Sequence, residues 1–337
     1  MFFIWIYDLF YLEFMDFKLN ITIIKRALIL FVFVFAFSIS EAQQAPLNSI
    51  SYWLFTPYIN NPAMVGSKDF ISLDANASFK GKSNSQIFSG NSRLTKSKSG
   101  YFASPDIFEF NNIGIGGSAF NNINGLSQNI GISGAMSYQV PLNTRKLSFL
   151  SFGTSVKGVY NILDADTIEP TNPAKKTFYP NVDVGIYYYG TKFFTGLSAV
   201  NLLRNPENPD SLGIDDLPVY RQYFFTAGYK ILLSKSLDIV LEPSVLIYVY
   251  DSTLTKIVEN IHPMVKLYVE DFCIGSYFLN DGAASFFFQY RYPKFYVGTY
   301  FALPKDSPYY EKSLTSEIAF GINFSYNKSG YTKYGHW

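Results

Sequence analysis

The chain has 337 residues, of which 16% are charged and 19% aromatic, and its formal net charge is +1. Soluble globular proteins carry about 25% charged residues, so this chain is poorly charged. The neutral balance argues against a nucleic-acid partner, which usually needs a basic patch. The single cysteine, Cys273, excludes an internal disulfide and a multi-cysteine metal site, and the only histidines, His262 and His336, argue against a histidine-rich metal centre.

The N-terminus has the pattern of an export signal. Lys25 and Arg26 precede an apolar run over residues 27–39, which is too short to span a bilayer as a helix, since that takes about 20 residues. Small residues at Ser40 and Ala42 predict cleavage after Ala42. Residues 1–42 are therefore predicted to be a signal peptide.

The first part of that signal is unusual. Residues 1–14 are aromatic and lack a basic start, whereas Met15 opens a normal positively charged region, so we predict that Met15 is the true start. The alternative is an N-terminal membrane helix over residues 1–39, although several charged residues interrupt that stretch.

The mature chain alternates apolar and polar residues with a period of two, which indicates strands rather than membrane helices. In chain order the predicted strands are 70–80, 85–95, 110–120, 129–140, 148–160, 181–189, 192–202, 221–231, 237–249, 261–269, 272–279, 284–292, 295–301 and 314–326. These are about 14 strands, an even number, as in bacterial single-chain barrels. We predict an all-β fold: a transmembrane antiparallel barrel over residues 70–327, preceded by a periplasmic or plug segment over 43–69 and followed by a tail over 328–337.

The connections suit that topology if the N-terminus is periplasmic. Turns at 190–191, 233–236 and 270–271 are tight, whereas the predicted loops 162–178 and 203–220 are long and polar. The connection 96–109 is the exception, because it is long and falls on the side of the short turns.

The apolar strand faces are expected to contact lipid, and the polar faces to point inward. The predicted inward charged and histidine residues are Asp74, Lys80, Arg93, Lys157, Asp183, Lys230, Glu242, His262, Lys266 and Glu317. Because neither sign dominates, an internal network is favoured over a selective pore. The alternative fold, a secreted soluble β-sandwich, would carry more charge on its outer faces.

Residues 52–66 resemble the opening signature of the PorP/SprF family of type IX secretion membrane proteins. The matching residues are Phe55, Pro57, Asn61, Pro62, Ala63 and Gly66, although Thr56 stands where the family has asparagine. Later matches keep the family's order. They include Gly196 and Asn201 in segment 193–203, Arg221 and Gly228 in segment 221–230, the Glu-Pro-Ser at 242–244, and Glu317 in the closing strand.

The resemblance implies a non-catalytic outer-membrane barrel that acts with the type IX secretion and gliding machinery. Its implied partners are other secretion components and a large secreted adhesin, recognised through the adhesin's C-terminal domain. The alternative function is an outer-membrane transport barrel for small solutes.

An enzyme would have to use His262, since His336 lies in the tail, and the inward acids nearest to it in sequence are Glu242 and Glu270. There is no Gly-x-Ser-x-Gly elbow, phosphate-binding loop, dinucleotide fingerprint or paired-cysteine zinc motif. We therefore predict no enzymatic activity, cofactor or metal. Segment 52–66 is either packed under or within the barrel, or acts as a plug or a docking surface.

Overall fold

The structure is a computed structural model, which describes residues 53–67, 71–80, 83–94, 112–124, 127–143, 148–163, 175–203, 221–236, 239–250, 257, 260–270, 272–278, 284–291, 295–303 and 315–324. The predicted signal peptide, the residues of loops 96–109, 164–174 and 204–220, and the tail 328–337 lie outside these residues.

The described chain contains two short 3-10 turns and fifteen strands, and residues 53–55 are helical. The turns are η1 (Pro57–Ile59) and η2 (Pro62–Met64). The strands are β1 (Ile71–Lys80), β2 (Ser83–Arg93), β3 (Ile113–Asn124), β4 (Ser127–Asn143), β5 (Ser148–Leu163), β6 (Lys175–Tyr189), β7 (Phe193–Val200), β8 (Gln222–Tyr229), β9 (Ile231–Ser234), β10 (Ile239–Tyr250), β11 (Ile261–Val269), β12 (Phe272–Phe278), β13 (Ala284–Arg291), β14 (Phe295–Leu303) and β15 (Thr315–Phe324).

Fourteen of these strands form one closed antiparallel barrel, which confirms the predicted fold class. Neighbours in sequence pair around the wall, and β10 pairs with β8 on one side and β11 on the other. The seam closes where β1 pairs with β15, from Ile71 opposite Phe324 to Lys80 opposite Thr315. Closure leaves the seam without an open edge, and this is what a sheet in lipid requires.

The two faces of the wall differ as the alternation predicts. On the outer face Ile132 is 69% exposed and Val156 is 61% exposed, whereas the neighbouring inward Ser155 is 5% exposed. Apolar residues are exposed because lipid, rather than water, covers this face of such a barrel. The inner face carries buried polar and aromatic side chains.

The connections indicate which way the barrel faces. The end where β1 begins and β15 ends is called here the terminal end. Its connections are short at 144–147, 190–192, 235–238, 270–271 and 292–294, and long only at 94–112. The opposite end has the long connections 164–174, 201–221, 251–260 and 304–314, as well as three short ones, 81–82, 125–126 and 279–283. Short periplasmic turns and longer extracellular loops are typical of these barrels, so the terminal end is predicted to be periplasmic.

Two predicted elements need correction. Loop 162–178 is shorter than predicted, because β5 continues to Leu163 and β6 already begins at Lys175. There, Asn161 donates to the side-chain oxygen of Asn129 at 2.7 Å, so the strands extend through polar residues that satisfy each other. The predicted strand 221–231 is also wrong as a single element, because it is interrupted at Lys230 and continues as β9.

Candidate functional site

Residues 53–66 lie against the inner face of the barrel and are called here the lumen segment. Pro57 begins η1 and Pro62 begins η2, where their missing N–H groups and fixed φ suit a first helical position. Asn61 caps η2, since its side-chain oxygen accepts from the backbone N–H of Ala63 at 3.0 Å. Two consecutive turns give a compact segment whose backbone must find further partners on the barrel wall.

The wall supplies hydrogen-bond donors to carbonyl groups of the lumen segment. The hydroxyl of Ser198 donates to Asn60 O at 2.5 Å, that of Ser151 to Ala63 O at 2.6 Å, and that of Ser137 to Val65 O at 2.6 Å. These serines lie on three different strands: β7, β5 and β4. The segment is therefore fixed by its backbone to a large arc of the wall.

Asn61 bonds the segment to a fourth strand, β6, and again to β7. Its side-chain N–H group donates to Ile186 O at 3.2 Å on β6 and to Leu197 O at 3.4 Å on β7. Asn61 is fully buried, and its side-chain oxygen is the cap of η2. A single amide thus uses both of its polar atoms to fix the turn and to attach it to the wall.

Glycines in the wall make room for the segment. A Cβ atom at Gly114 would clash with Val65 O, one at Gly153 with Ala63 N, and one at Gly185 with the side-chain oxygen of Asn61. Similar close approaches occur at Gly196, against Asn61, and at Gly298, against the ring of Phe55. These five residues form the glycine groove, in which the segment approaches the wall more closely than any other residue type would permit.

Gly66 ends the segment in a left-handed conformation, with φ of +65°. Its carbonyl oxygen accepts from Arg93 Nε at 2.9 Å, and Arg93 also donates to Gln139 and Tyr189. The guanidinium carbon of Arg93 lies 5.2 Å from the ring centroid of Phe149. Because arginine presents several donors in a planar fork, it can join the segment to three wall strands at once.

Large side chains fill the lumen around the segment. Phe224 is 2% exposed, and Tyr277 and Tyr300 are each 0% exposed. The larger members of this cluster are Trp53, Phe55, Tyr58, Phe149, Tyr187, Tyr189, Phe194, Phe224, Tyr268, Tyr277, Phe287, Tyr296 and Tyr300. Around the lumen segment, the described part of the interior is packed like a protein core.

Four of the inward charges form two ion pairs, which confirms the predicted network for these residues. Lys157 Nζ lies 2.8 Å from a carboxylate oxygen of Asp183, and Lys266 Nζ lies 3.0 Å from one of Glu242. Asp183 also accepts from Ser155 at 2.6 Å. Pairing of this kind offsets the cost of taking charges out of water.

Asp183 also bonds to the start of the long connection 201–221. The two ends of this connection, Asn201–Leu202 and Arg221, are called here the neck. Asn201, with φ of +60°, donates its backbone N–H to Asp183 Oδ1 at 2.8 Å. At the other end of the connection, Arg221 Nε donates to Leu202 O at 3.1 Å. The loop therefore leaves the barrel from a neck that is fastened to the lumen network.

His262, the histidine considered for catalysis, lies in a stack of rings. Its ring centroid is 4.9 Å from that of Tyr248 and 5.5 Å from that of Tyr277. Glu242 pairs with Lys266, so this arrangement favours packing over proton transfer. Among the described residues no group of three His, Cys, Asp or Glu side chains could hold a metal ion.

Several residues that sequence comparison singled out meet inside the barrel. Phe55, Pro57, Asn61, Pro62 and Gly66 belong to the lumen segment, and Gly196 receives Asn61. The others lie elsewhere: Asn201 and Arg221 at the loop neck, Gly228 under the ring of Phe194, and Glu317 buried beside Ser78. Sequence reasoning missed the serine donors and most of the glycine groove. The glycine-rich sequence of β3, which includes Gly114, is a signal of close packing, and Gly196 belongs to the family resemblance.

No helix in the described part of the chain is both long and apolar enough to cross a membrane. The fourteen-stranded closed wall, apolar outside and packed inside, defines an outer-membrane β-barrel protein. A family model described as "Type IX secretion system membrane protein PorP/SprF" matches residues 40–334. The chain belongs to this PorP/SprF family.

Solved structures with similar barrels are distant in sequence. A KdgM porin is 9% identical, with 75% of this chain and 99% of that chain covered and a TM-score of 0.35. CdiB from Acinetobacter baumannii is 8% identical, with 75% and 60% covered and a TM-score of 0.40. The Acinetobacter baumannii outer membrane protein Omp33 is 13% identical, with 77% and 100% covered and a TM-score of 0.30. Similarities this distant carry no argument about function. The comparison with curated proteins found no match.

Proposed function

We propose that this protein is a closed, non-catalytic barrel of the type IX secretion machinery that assists the secretion or surface attachment of a large adhesin-type cargo. It would reach the outer membrane through a signal peptide over residues 1–42. The observation that carries the proposal is the filled lumen. A barrel whose interior holds the lumen segment and buried aromatic rings is suited to binding at its ends rather than to passage through its centre.

The lumen segment would act as a permanent plug. Its carbonyl groups are bonded to several strands and its backbone lies in the glycine groove, so its release would break many contacts together. This favours a silent barrel over a transporter for small solutes, which needs an open path.

Cargo contact is assigned to the long connections 164–174 and 201–221 at the end opposite the terminal end. Loops on a rigid scaffold commonly carry binding function. The fastened neck of connection 201–221, through Asn201 and Arg221, would hold that loop in a defined direction.

The proposal is tested by affinity purification of the tagged protein from outer membranes in mild detergent, with mass spectrometry. We expect recovery of other secretion components and one large secreted protein. A variant lacking residues 204–220 is the matched control, because loop shortening is tolerated by folding. It should keep the secretion components and lose the cargo.

A second measurement distinguishes the proposed closed barrel from a solute transporter. The purified barrel should leave the conductance of a planar bilayer unchanged. Reproducible recovery of the barrel alone, together with stable conductance steps, would overturn the proposal in favour of solute transport.

The packing role of His262 is tested by His262→Phe, which keeps a ring between Tyr248 and Tyr277. We expect normal assembly and normal cargo export. Loss of export from a fully assembled His262→Phe barrel would indicate that the imidazole has a chemical role.

A further inference from the structure

The lumen segment and the neck are bonded to the same two strands, β6 and β7. These strands pair over six positions, from Val184 opposite Ala199 to Tyr189 opposite Phe194. β6 pairs with β5 over fifteen positions, so the β6–β7 ladder is short by comparison. Because the two strands share few backbone bonds, contacts from other parts of the chain matter more for holding them together.

The lumen segment holds this short ladder from the inside. Asn61 donates to the carbonyl groups of Ile186 and Leu197, which are cross-strand partners on β6 and β7. The hydroxyl group of Ser198, the next residue of β7, donates to Asn60 O. The segment therefore bonds to both strands at neighbouring positions.

The contacts of the neck begin immediately beyond those of the segment. The Asn61 side chain approaches the wall at Gly185, and Asp183 lies two residues away on the same inward face of β6. Two residues of a strand span about 7 Å. Asn201, three residues after Ser198, donates its backbone N–H to Asp183 Oδ1. The segment and the neck thus have adjacent places on the inner face.

Two further backbone N–H groups fix the chain after Asn201. That of Leu202 donates to Val182 O at 2.9 Å, and that of Leu203 donates to the side-chain oxygen of Asn181 at 3.0 Å. All three acceptors lie within residues 181–183 of β6. The position of the neck is therefore set by the part of β6 that directly adjoins the contact with the lumen segment.

We propose that the lumen segment is a support that fixes the position of the neck, so that a displacement of the segment is transmitted to connection 201–221. Weaker contacts of Asn61 would make opening of the neck easier. By the same coupling, an opened neck would loosen the segment, because the coupling free energy between two sites is reciprocal. The inference rests on the proposed function for what the connection binds, but the coupling belongs to the barrel alone and is measured without cargo.

Hydrogen exchange of backbone amides measures the local opening of each contact. The purified barrel in detergent is exchanged in heavy water, and the amides of Asn201, Leu202 and Leu203 are followed by mass spectrometry with residue-level fragmentation. Ser198→Ala and Ser151→Ala form a matched pair, since each removes one hydroxyl donor to a carbonyl of the segment, at 2.5 Å and 2.6 Å. Of the two serines, only Ser198 lies on β7.

We expect the amides of residues 201–203 to exchange about fivefold faster or more in Ser198→Ala than in the wild type, which is the usual range of coupling between two sites. In Ser151→Ala they should exchange at the wild-type rate. Asn61→Ala should act like Ser198→Ala although it leaves β7 unaltered, and this separates coupling from local damage to the strand.

Two results would overturn the proposal. Unchanged exchange of these amides in Asn61→Ala would mean that the neck is held by Asp183 and its other partners without help from the segment. An increase in Ser151→Ala equal to that in Ser198→Ala would indicate general loosening of the wall instead of a specific coupling.

The reverse direction is tested with Asn201→Val and Asn201→Gly, since a φ of +60° suits glycine but not a β-branched residue. The amides of Ala63 and Met64, which donate to Asn61, should exchange faster in Asn201→Val by a similar factor, and at the wild-type rate in Asn201→Gly. This pair alters no residue of the segment, so it decides the question if Asn61→Ala or Ser198→Ala fails to fold. Equal rates in the two Asn201 variants would overturn the proposal. Failure to recover cargo with these exchange rates as expected would count against the proposed function alone.

Discussion

The side-chain oxygen of Asn61 lies where any residue other than glycine at position 185 would place its Cβ atom. The same amide donates to the carbonyl of Ile186, the next residue along the strand. The lumen segment and the wall are therefore shaped for each other at this point. A substitution in either the segment or the wall should therefore disturb the packing of both.

Gly185→Ala should destabilise the barrel. The added methyl group must displace Asn61 from the wall, and such overpacking costs about 1–3 kcal/mol. The measurement is the urea concentration at the midpoint of unfolding. It is monitored through the difference in gel mobility between folded and unfolded barrels. Gly134→Ala is the control, because a Cβ there meets no atom within 4 Å. Equal unfolding midpoints for Gly185→Ala and Gly134→Ala would show that the segment and the wall can move apart to accommodate the added methyl group.

Asn61→Ala removes the cap of η2 and two donated hydrogen bonds, and it leaves the partners buried. We expect a loss of about 1–3 kcal/mol in the free energy of unfolding. The lumen segment should also become more accessible to protease added to detergent-solubilised barrel. Ser236→Ala, in an exposed turn, is the control and should change neither quantity. A wild-type protease pattern in Asn61→Ala would mean that the hydrogen bonds from Ser137, Ser151 and Ser198 are enough to hold the segment.

Asp183→Ala leaves the ammonium group of Lys157 without its carboxylate partner. Breaking a buried pair in this way costs about 3–5 kcal/mol. Lys157→Met combined with Asp183→Ala should recover part of the loss, but not all, because Asp183 also accepts from Ser155 and Asn201. A double-mutant cycle on urea unfolding gives the coupling between the two residues. A coupling of zero would contradict the ion pair.

Asn201 tests the neck of connection 201–221 through its backbone conformation. Its φ of +60° is readily adopted by glycine and disfavoured for β-branched residues. Asn201→Gly should keep the neck intact, whereas Asn201→Val should cost about 1–2 kcal/mol and increase proteolysis within residues 204–220. Equal proteolysis of the two variants would show that the neck does not depend on this conformation.

Strand pattern was the part of the fold that local sequence could predict. The alternation around Val265 and Leu267 predicted residues 261–269, which match β11. The period of two works because lipid and the packed lumen impose opposite requirements on successive side chains. The pattern did not predict the interruption at Lys230. Lys230 points inward and so continues the alternation of β8, but the pairing of β8 with β7 already ends at Tyr229.

The lumen segment could be noticed in the sequence but not placed. Its prolines and aromatic residues marked it as unusual, and both a packed and a docking role remained open. What fixes it is complementarity across long sequence separations, such as Ser137 to Val65 and Gly185 to Asn61. A single sequence carries no periodic signal for such pairs.

The position of the lumen segment also constrains how the barrel is built. Tyr296, near the end of the chain, hydrogen-bonds to Phe55 O across 241 positions of sequence, and Ser151 and Ser198 hold the segment from the other side. These contacts run to wall strands on both sides of the β1–β15 seam. Bulky rings such as Phe55 could not be threaded afterwards into a finished wall packed at core density. We therefore expect the N-terminal segment to take its place in the lumen before β1 and β15 pair and close the wall.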